Sequence, residues 1–382
     1  MQTSEAKVAI KAGPSPTDSS GIWYPGLDGV RGVAVGLVFM VHYLRSWGHI
    51  GWMGVLIFFV LSGFLITGVL YDSRNEPHRF RNFYIRRTLR IFPLFYFIWM
   101  LVLVGAFFLR EQWYPILALW PTYLGNYARF IAGTSAVDHI ATRFSGFPIE
   151  IGHFWPLAVE EQFYILWPFV VFSISNRKTL IRICIAVMAI VLLLRIVLLH
   201  AVPQSFVEME FFYRMTFAQA DAFLLGGLLA LLLRGPRKEA LLRMAPRLFW
   251  GALTLLAVVC GLNGPGHFLS RVVPATPWMS GYGFTIVDLV AGGMILCALR
   301  PGNILFRALT FAPLRILGRY SYGFYVYHVL LLPMGPLYLV GNTTAPVLIL
   351  HFCSEFLIIL AVSAASYHFL EMPFLRLKRR FA

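Results

Sequence analysis

Leu27-Asp28-Gly29-Val30-Arg31-Gly32 opens the first apolar run of the chain, and Val41-His42-Tyr43 lies near its far end. Eleven helical steps of about 100° amount to three turns plus about 20°, so Arg31 and His42 share one helix face. At about 1.5 Å per residue they stand roughly 16 Å apart along the axis. The run 27–46 has the length of a membrane span. With Arg31 at the water interface, His42 falls near the middle of a hydrocarbon core about 30 Å thick. Ionisable groups at that depth are costly and mark functional sites. Two plainer readings stand beside this one: an imidazole that hydrogen-bonds across helices as packing, and an arginine that snorkels as a topology anchor.

The remainder of the chain has the same character. It is 59% hydrophobic and 13% charged, with a mean hydropathy of +0.72, whereas soluble globular chains carry about 25% charged residues. That excludes an ordinary soluble enzyme. Further runs of span length lie at 50–71, 91–109, 154–174, 180–201, 215–233, 248–263, 282–299, 316–340 and 347–370. The expected fold is therefore an all-α polytopic membrane protein with about ten transmembrane helices. The segment 114–131 is apolar but interrupted by Pro115, Pro121, Gly125 and Asn126, and reads as re-entrant or interfacial.

An even number of spans puts both termini on one side. Most of the 32 lysines and arginines fall on that side, among them Arg74, Arg79, Arg86, Arg87, Arg90 and Arg177. The positive-inside rule makes it the cytoplasm of a cell inner membrane. The net charge of +15 then reflects topology and attraction to anionic lipid. Spread over short loops, it does not point to nucleic acid. Residues 1–22, with Pro14 and Pro16, read as a flexible cytoplasmic tail, 23–374 as one membrane domain, and 375–382 as a basic cytoplasmic tail. Cys184, Cys260, Cys297 and Cys353 all lie in apolar spans without a C-x-x-C pair. They read as buried thiols, with no metal or disulfide framework.

Three more motifs carry polar chemistry into apolar surroundings. In His153-Phe154-Trp155-Pro156-Leu157-Ala158-Val159-Glu160-Glu161-Gln162-Phe163-Tyr164, Pro156 suits a first helical turn. The adjacent carboxylates lie about 100° apart, so one can face the interior and the other the rim. Glu160 beside His42 would orient its imidazole; the alternative is a pair that hydrates an outer vestibule. In Phe83-Tyr84-Ile85-Arg86-Arg87-Thr88-Leu89-Arg90, Arg87 and Arg90 share a face and form either a phosphate clamp or a topology anchor. Asp221 needs a partner, for which Arg214 is one candidate, as a structural ion pair or a substrate contact. His328 closes Tyr320-Ser321-Tyr322-Gly323-Phe324-Tyr325-Val326-Tyr327-His328, an aromatic belt that either stacks on a sugar or packs. No P-loop, G-x-S-x-G elbow or H-E-x-x-H occurs.

Taken in order, these blocks resemble the membrane acyltransferase-3 family. The matching pieces are Arg31-x10-His42, Gly54 to Ile66, the basic block Phe83 to Pro93, Phe154 to Tyr164, Gly318-Arg319-Tyr320-Ser321-Tyr322-Gly323 with His328, and Glu371-Met372-Pro373. The resemblance implies an O-acyltransferase that moves an acyl group, usually acetyl, from cytoplasmic acyl-CoA to a hydroxyl. Acceptors in the family are mostly cell-envelope or exported carbohydrates and glycolipids, and sometimes small molecules such as macrolides. By the same resemblance, Arg31 and His42 are the functional pair and Glu160 the acidic position. Arg87 and Arg90, flanked by Arg86, meet the CoA phosphates, while Glu161, Tyr164 and His328 line the acceptor. The chain departs from many relatives at Pro156, where they carry Ser or Thr, so no role rests on a hydroxyl there. His42 is expected to act as general base with Glu160 orienting it; a covalent acyl-histidine is the alternative. A proton-coupled transporter is the rival function, and the missing internal repeat of broken helices speaks against it.

Overall fold

The computed structural model describes residues 24–43, 49–108, 115–132, 151–202, 210–264, 276–331 and 345–381. Among them all regular structure is helical. The main elements are α1 (Pro25–Tyr43), α2 (Met53–Asp72), α3 (Arg79–Phe108), α4 (Trp155–Ser173), α5 (Arg177–Ala201) and α6 (Ala220–Leu232). They continue with α7 (Lys238–Leu262), α8 (Phe284–Ala298), α9 (Ala312–Arg319), α10 (Ser321–Leu330) and α11 (Ala345–Ser366).

Among the described residues, six helices are long and apolar enough to cross a membrane: Ile50–Asp72, Arg79–Gly105, Arg177–Ala201, Lys238–Leu262, Met279–Ala298 and Ile349–Leu377. The expectation of about ten is thus met only in part. A helix does lie over each of the other four runs, but each has a physical reason to fall short. α1 carries Asp28, Arg31 and His42, and α4 carries adjacent glutamates and two prolines. Thr216–Leu232 is short. The run 316–340 is divided at Tyr320 between α9 and α10, and 332–344 lie outside the described residues. Within 114–131 only short helical pieces occur, Pro115–Leu119, Gly125–Tyr127 and Ala128–Ala132. This wedge is held in the bundle by Trp120, whose Nε1 donates to the Ile151 carbonyl at 2.9 Å, and by Gln162, whose Nε2 donates to the Tyr123 carbonyl at 2.8 Å.

Small residues set the closest packing. A Cβ on Gly63 would overlap the Phe223 carbonyl and one on Gly226 the Val60 carbonyl, so α2 and α6 meet backbone to backbone. In the same way Gly318 of α9 sits against the Asp28 carbonyl, which seats α1 beside α9. α2 and α8 are mostly buried, whereas α3, α5, α7 and α11 present exposed apolar side chains such as Leu101, Leu193, Val258 and Leu350. Such a belt suits a hydrocarbon surrounding. Cys353 is exposed on this outer surface, unlike the other three thiols, because α11 has an outward face.

Candidate active site

α1 carries the two ends of the site on one face. Arg31 is buried and donates from Nη1 to Asp28 Oδ1 at 2.5 Å, one turn earlier. That pairing fixes the guanidinium inside the bundle, close enough to Arg87 and Arg90 of α3 to feel their charge. The chain after α11 contributes a further cation. Met372–Leu377 continues as helix and Lys378–Phe381 as a tight turn. Lys378 thereby comes within the field of Arg90, Arg87, Arg86 and Arg31. Burial first, and then these four guanidiniums, pull its ammonium down to about 7. Glu371, buried beside Arg90, is the nearby counter-charge, and its Oε1 has no hydrogen-bond partner among the described residues. Concentrated like charge of this kind is a site for a polyanion.

The basic motif lies deeper than its sequence position implies. α3 begins at Arg79, twelve residues before the expected span start at 91. Eight residues of helix then raise Arg87 about 12 Å into the bundle. α3 and α4 run side by side: Arg79 Nη2 donates to the Phe172 carbonyl at 3.3 Å and the Tyr84 hydroxyl to the Ile165 carbonyl at 2.9 Å. Arg87 is consequently level with Tyr164, its Cζ 3.7 Å from the ring centroid.

This arrangement sets Glu160 beside the basic motif. Its carboxylate is within hydrogen-bonding reach of Ser62 and Tyr164 and faces Arg87 and Arg90. Ser62 and Tyr164 are hydrogen-bonded to each other. Glu161 is buried near Arg87, while Glu160 is half-buried. Tyr164 is fully buried, with Arg87 over its ring.

The far end of α1 gathers three histidines. His42 is exposed, and its Nδ1 lies 2.8 Å from the Val38 carbonyl, one turn back. A carbonyl only accepts, so Nδ1 carries the hydrogen and the lone pair is on Nε2. His328 of α10 is fully buried, with its ring centroid 4.8 Å from that of His42. His153, in the turn before α4, lies 5.4 Å from His328. Tyrosines tie the cluster to its supports: Tyr43 donates to the His328 carbonyl at 2.7 Å, and Tyr325 to the His153 carbonyl. Tyr325 also feels the charge of Glu160. Among the described residues no cluster of metal-ligating side chains is present.

Asp221 is paired, but not with Arg214. Arg195 of α5, fully buried, donates to Asp221 Oδ2 at 2.5 Å and to Oδ1 at 3.2 Å. Arg214 instead binds Glu210 at 2.7 Å and lies over Trp155. Arg195 was legible as a charge deep inside the apolar run 180–201, well away from Arg182 near its start. His153 was legible as the polar residue opening its motif; Ser62 and Lys378 carry no comparable local signal.

The chain belongs to the acyltransferase family whose model, described as an acyltransferase domain, matches residues 24–368. It is 30% identical over 363 residues to YrhL of Bacillus subtilis (strain 168), named a candidate peptidoglycan O-acetyltransferase, covering 92% of this chain and 55% of that protein. It is 28% identical over 365 residues to the peptidoglycan O-acetyltransferase OatA of Listeria monocytogenes, covering 92% and 56%. Against the O-acetyltransferase OatA of Staphylococcus aureus (strain NCTC 8325) it is 28% identical over 366 residues, covering 92% and 57%. The chain thus spans a little over half the length of these relatives. No solved structure matches it.

Proposed function

We propose that this protein is an integral-membrane O-acetyltransferase. It moves an acetyl group from cytoplasmic acetyl-CoA, or another acyl-CoA, to a hydroxyl of a cell-envelope carbohydrate. One observation carries the reading: a cationic cluster and an imidazole cluster occupy opposite ends of a single helix face. Arg87, Arg90, Arg31 and Lys378 suit the phosphates of CoA, which are too charged to enter hydrocarbon. The pantetheine arm then spans the interval of about 16 Å between Arg31 and His42 and presents the thioester to the imidazole. The distribution of basic residues supports a cytoplasmic position for both termini. The acceptor class comes from the names of the relatives, which makes peptidoglycan the first acceptor to try.

In this reading His42 Nε2 takes the proton of the acceptor hydroxyl as its oxygen attacks the thioester carbonyl. The tetrahedral intermediate collapses, the carbon–sulfur bond breaks, and the imidazolium returns the proton to the departing sulfur. The products are an O-acetyl ester and CoA thiol. Glu160 does not orient His42 here; it holds Arg87 through opposite charge, with Tyr164 stacked below. His328 serves the imidazole end instead of stacking on the acceptor.

Purified protein supplied with labelled acetyl-CoA and peptidoglycan fragments tests this function. Label in an alkali-labile ester, absent from a folded His42→Ala protein, supports it. Failure both to bind acetyl-CoA and to acylate any of a panel of envelope glycans contradicts it.

A further inference from the structure

His328 has one ring nitrogen whose hydrogen-bonding capacity is unused. Its Nδ1 is 2.6 Å from the Tyr325 carbonyl, so Nδ1 carries the hydrogen and Nε2 the lone pair. That Nε2 is buried, and no described group donates to it. A buried acceptor left unpaired costs about 1–3 kcal/mol, so its retention calls for a donor that arises only in another state. The groups around it narrow the choice. On its own helix stands Tyr325, whose hydroxyl goes to the His153 carbonyl. From the turn before α4 comes His153, whose Nε2 is 3.2 Å from the Val326 carbonyl. From α1 come Tyr43, committed to the His328 carbonyl, and His42; from α11, Glu355 faces Tyr43. The His42 ring meets the His328 ring edge to face at 76°. Neutral His42 already spends its Nδ1 hydrogen on Val38, but a proton gained at Nε2 creates a second donor on this ring.

We propose that His328 is a positioning residue for the charged form of His42: its buried Nε2 accepts the new N–H of the His42 imidazolium. The inference rests on the acyl-transfer reading and deepens it. Once taken from the acceptor hydroxyl, the proton stays on His42 Nε2 until the sulfur departs, and it is never passed to His328. Its hydrogen bond points first to His328 Nε2, while the tetrahedral intermediate stands, and then to the departing sulfur, which receives it. No bond to His328 forms or breaks.

Two variants separate this role from packing. His328→Phe keeps the ring volume and removes the lone pair, whereas His328→Gln places an amide oxygen near the position of Nε2. The expected result is a kcat lowered about tenfold to a hundredfold in His328→Phe, the effect of a lost hydrogen bond to a charged group. KM for acetyl-CoA stays unchanged, and His328→Gln recovers most of the rate. In isotope-labelled histidine NMR of the same proteins, His42 takes up its proton at lower pH in His328→Phe than in wild type or His328→Gln. That titration needs no turnover, so a wild type that fails to transfer acetyl overturns the enzyme reading alone. A His42 titration identical in all three proteins overturns the role of His328, as does an equal loss of kcat in both variants.

Discussion

Arg87 lies over the ring of Tyr164, with its Cζ 3.7 Å from the ring centroid, and the tyrosine hydroxyl is bonded to Ser62 beneath it. The stack holds a guanidinium inside an apolar bundle, where a cation over an aromatic face gains up to about 2 kcal/mol. Tyr164→Leu is therefore expected to raise KM for acyl-CoA about tenfold, while Tyr164→Phe, which keeps the aromatic face, raises it less. Steady-state kinetics with the acceptor saturating measures both.

Replacing the two clamp arginines should act on the donor alone. Arg87→Ala with Arg90→Ala is expected to weaken binding of a non-hydrolysable acyl-CoA analogue at least roughly a hundredfold, since each charged hydrogen bond contributes about 1.5–3 kcal/mol. The KM for the acceptor stays close to wild type. Calorimetric titration of the analogue, beside acceptor kinetics, checks the split, and unchanged donor affinity would reassign both arginines to topology.

Lys378 gives the donor site a dependence on pH. With its ammonium held at about 7 by burial and four guanidiniums, it carries its charge below that pH and loses it above. Donor affinity is thus expected to fall as pH rises through about 7, and binding at pH 7.5 to 8 (roughly) to take up a proton as the phosphates restore the ammonium. The unfolded chain keeps this proton to about pH 10.4. It therefore binds more protons than the ligand-free fold between about 7 and 10, and stability from this group rises with pH across that window. Lys378→Met should flatten the pH dependence of donor binding.

The Arg195–Asp221 pair is fully enclosed, and Thr285 completes it by donating to Asp221 Oδ2 at 2.8 Å. Removing one partner leaves a buried charge, so Arg195→Leu alone is expected to cost about 3–5 kcal/mol. Arg195→Leu together with Asp221→Leu should recover much of that loss. Thermal unfolding in one detergent, followed for both proteins, measures the difference.

Sequence made the shared face of Arg31 and His42 legible because both sit on one uninterrupted helix, where an eleven-residue spacing has a single geometric meaning. The Arg87–Arg90 face was legible for the same reason. What remained hidden depends on how helices sit against one another. Glu160 meets Arg87 because α3 starts at Arg79 and carries its basic block alongside α4, a start that the apolar run at 91–109 does not mark. Asp221 meets Arg195 of another helix rather than Arg214 nearby in sequence. His328 reaches His42 through the packing of α10 beside α1, across 286 positions of chain. Lys378 read as part of a tail because nothing local shows the turn that folds it back onto the arginines.

The central claim is that a donor held at the Arg31 end is attacked at His42, and reconstituted vesicles test it most directly. Labelled acetyl-CoA is supplied on the side of the termini, and an envelope glycan is enclosed on the other. Ester label is expected on the enclosed glycan with wild type and none with His42→Ala, with equal donor binding by both. Label transferred at the wild-type rate by His42→Ala would contradict it.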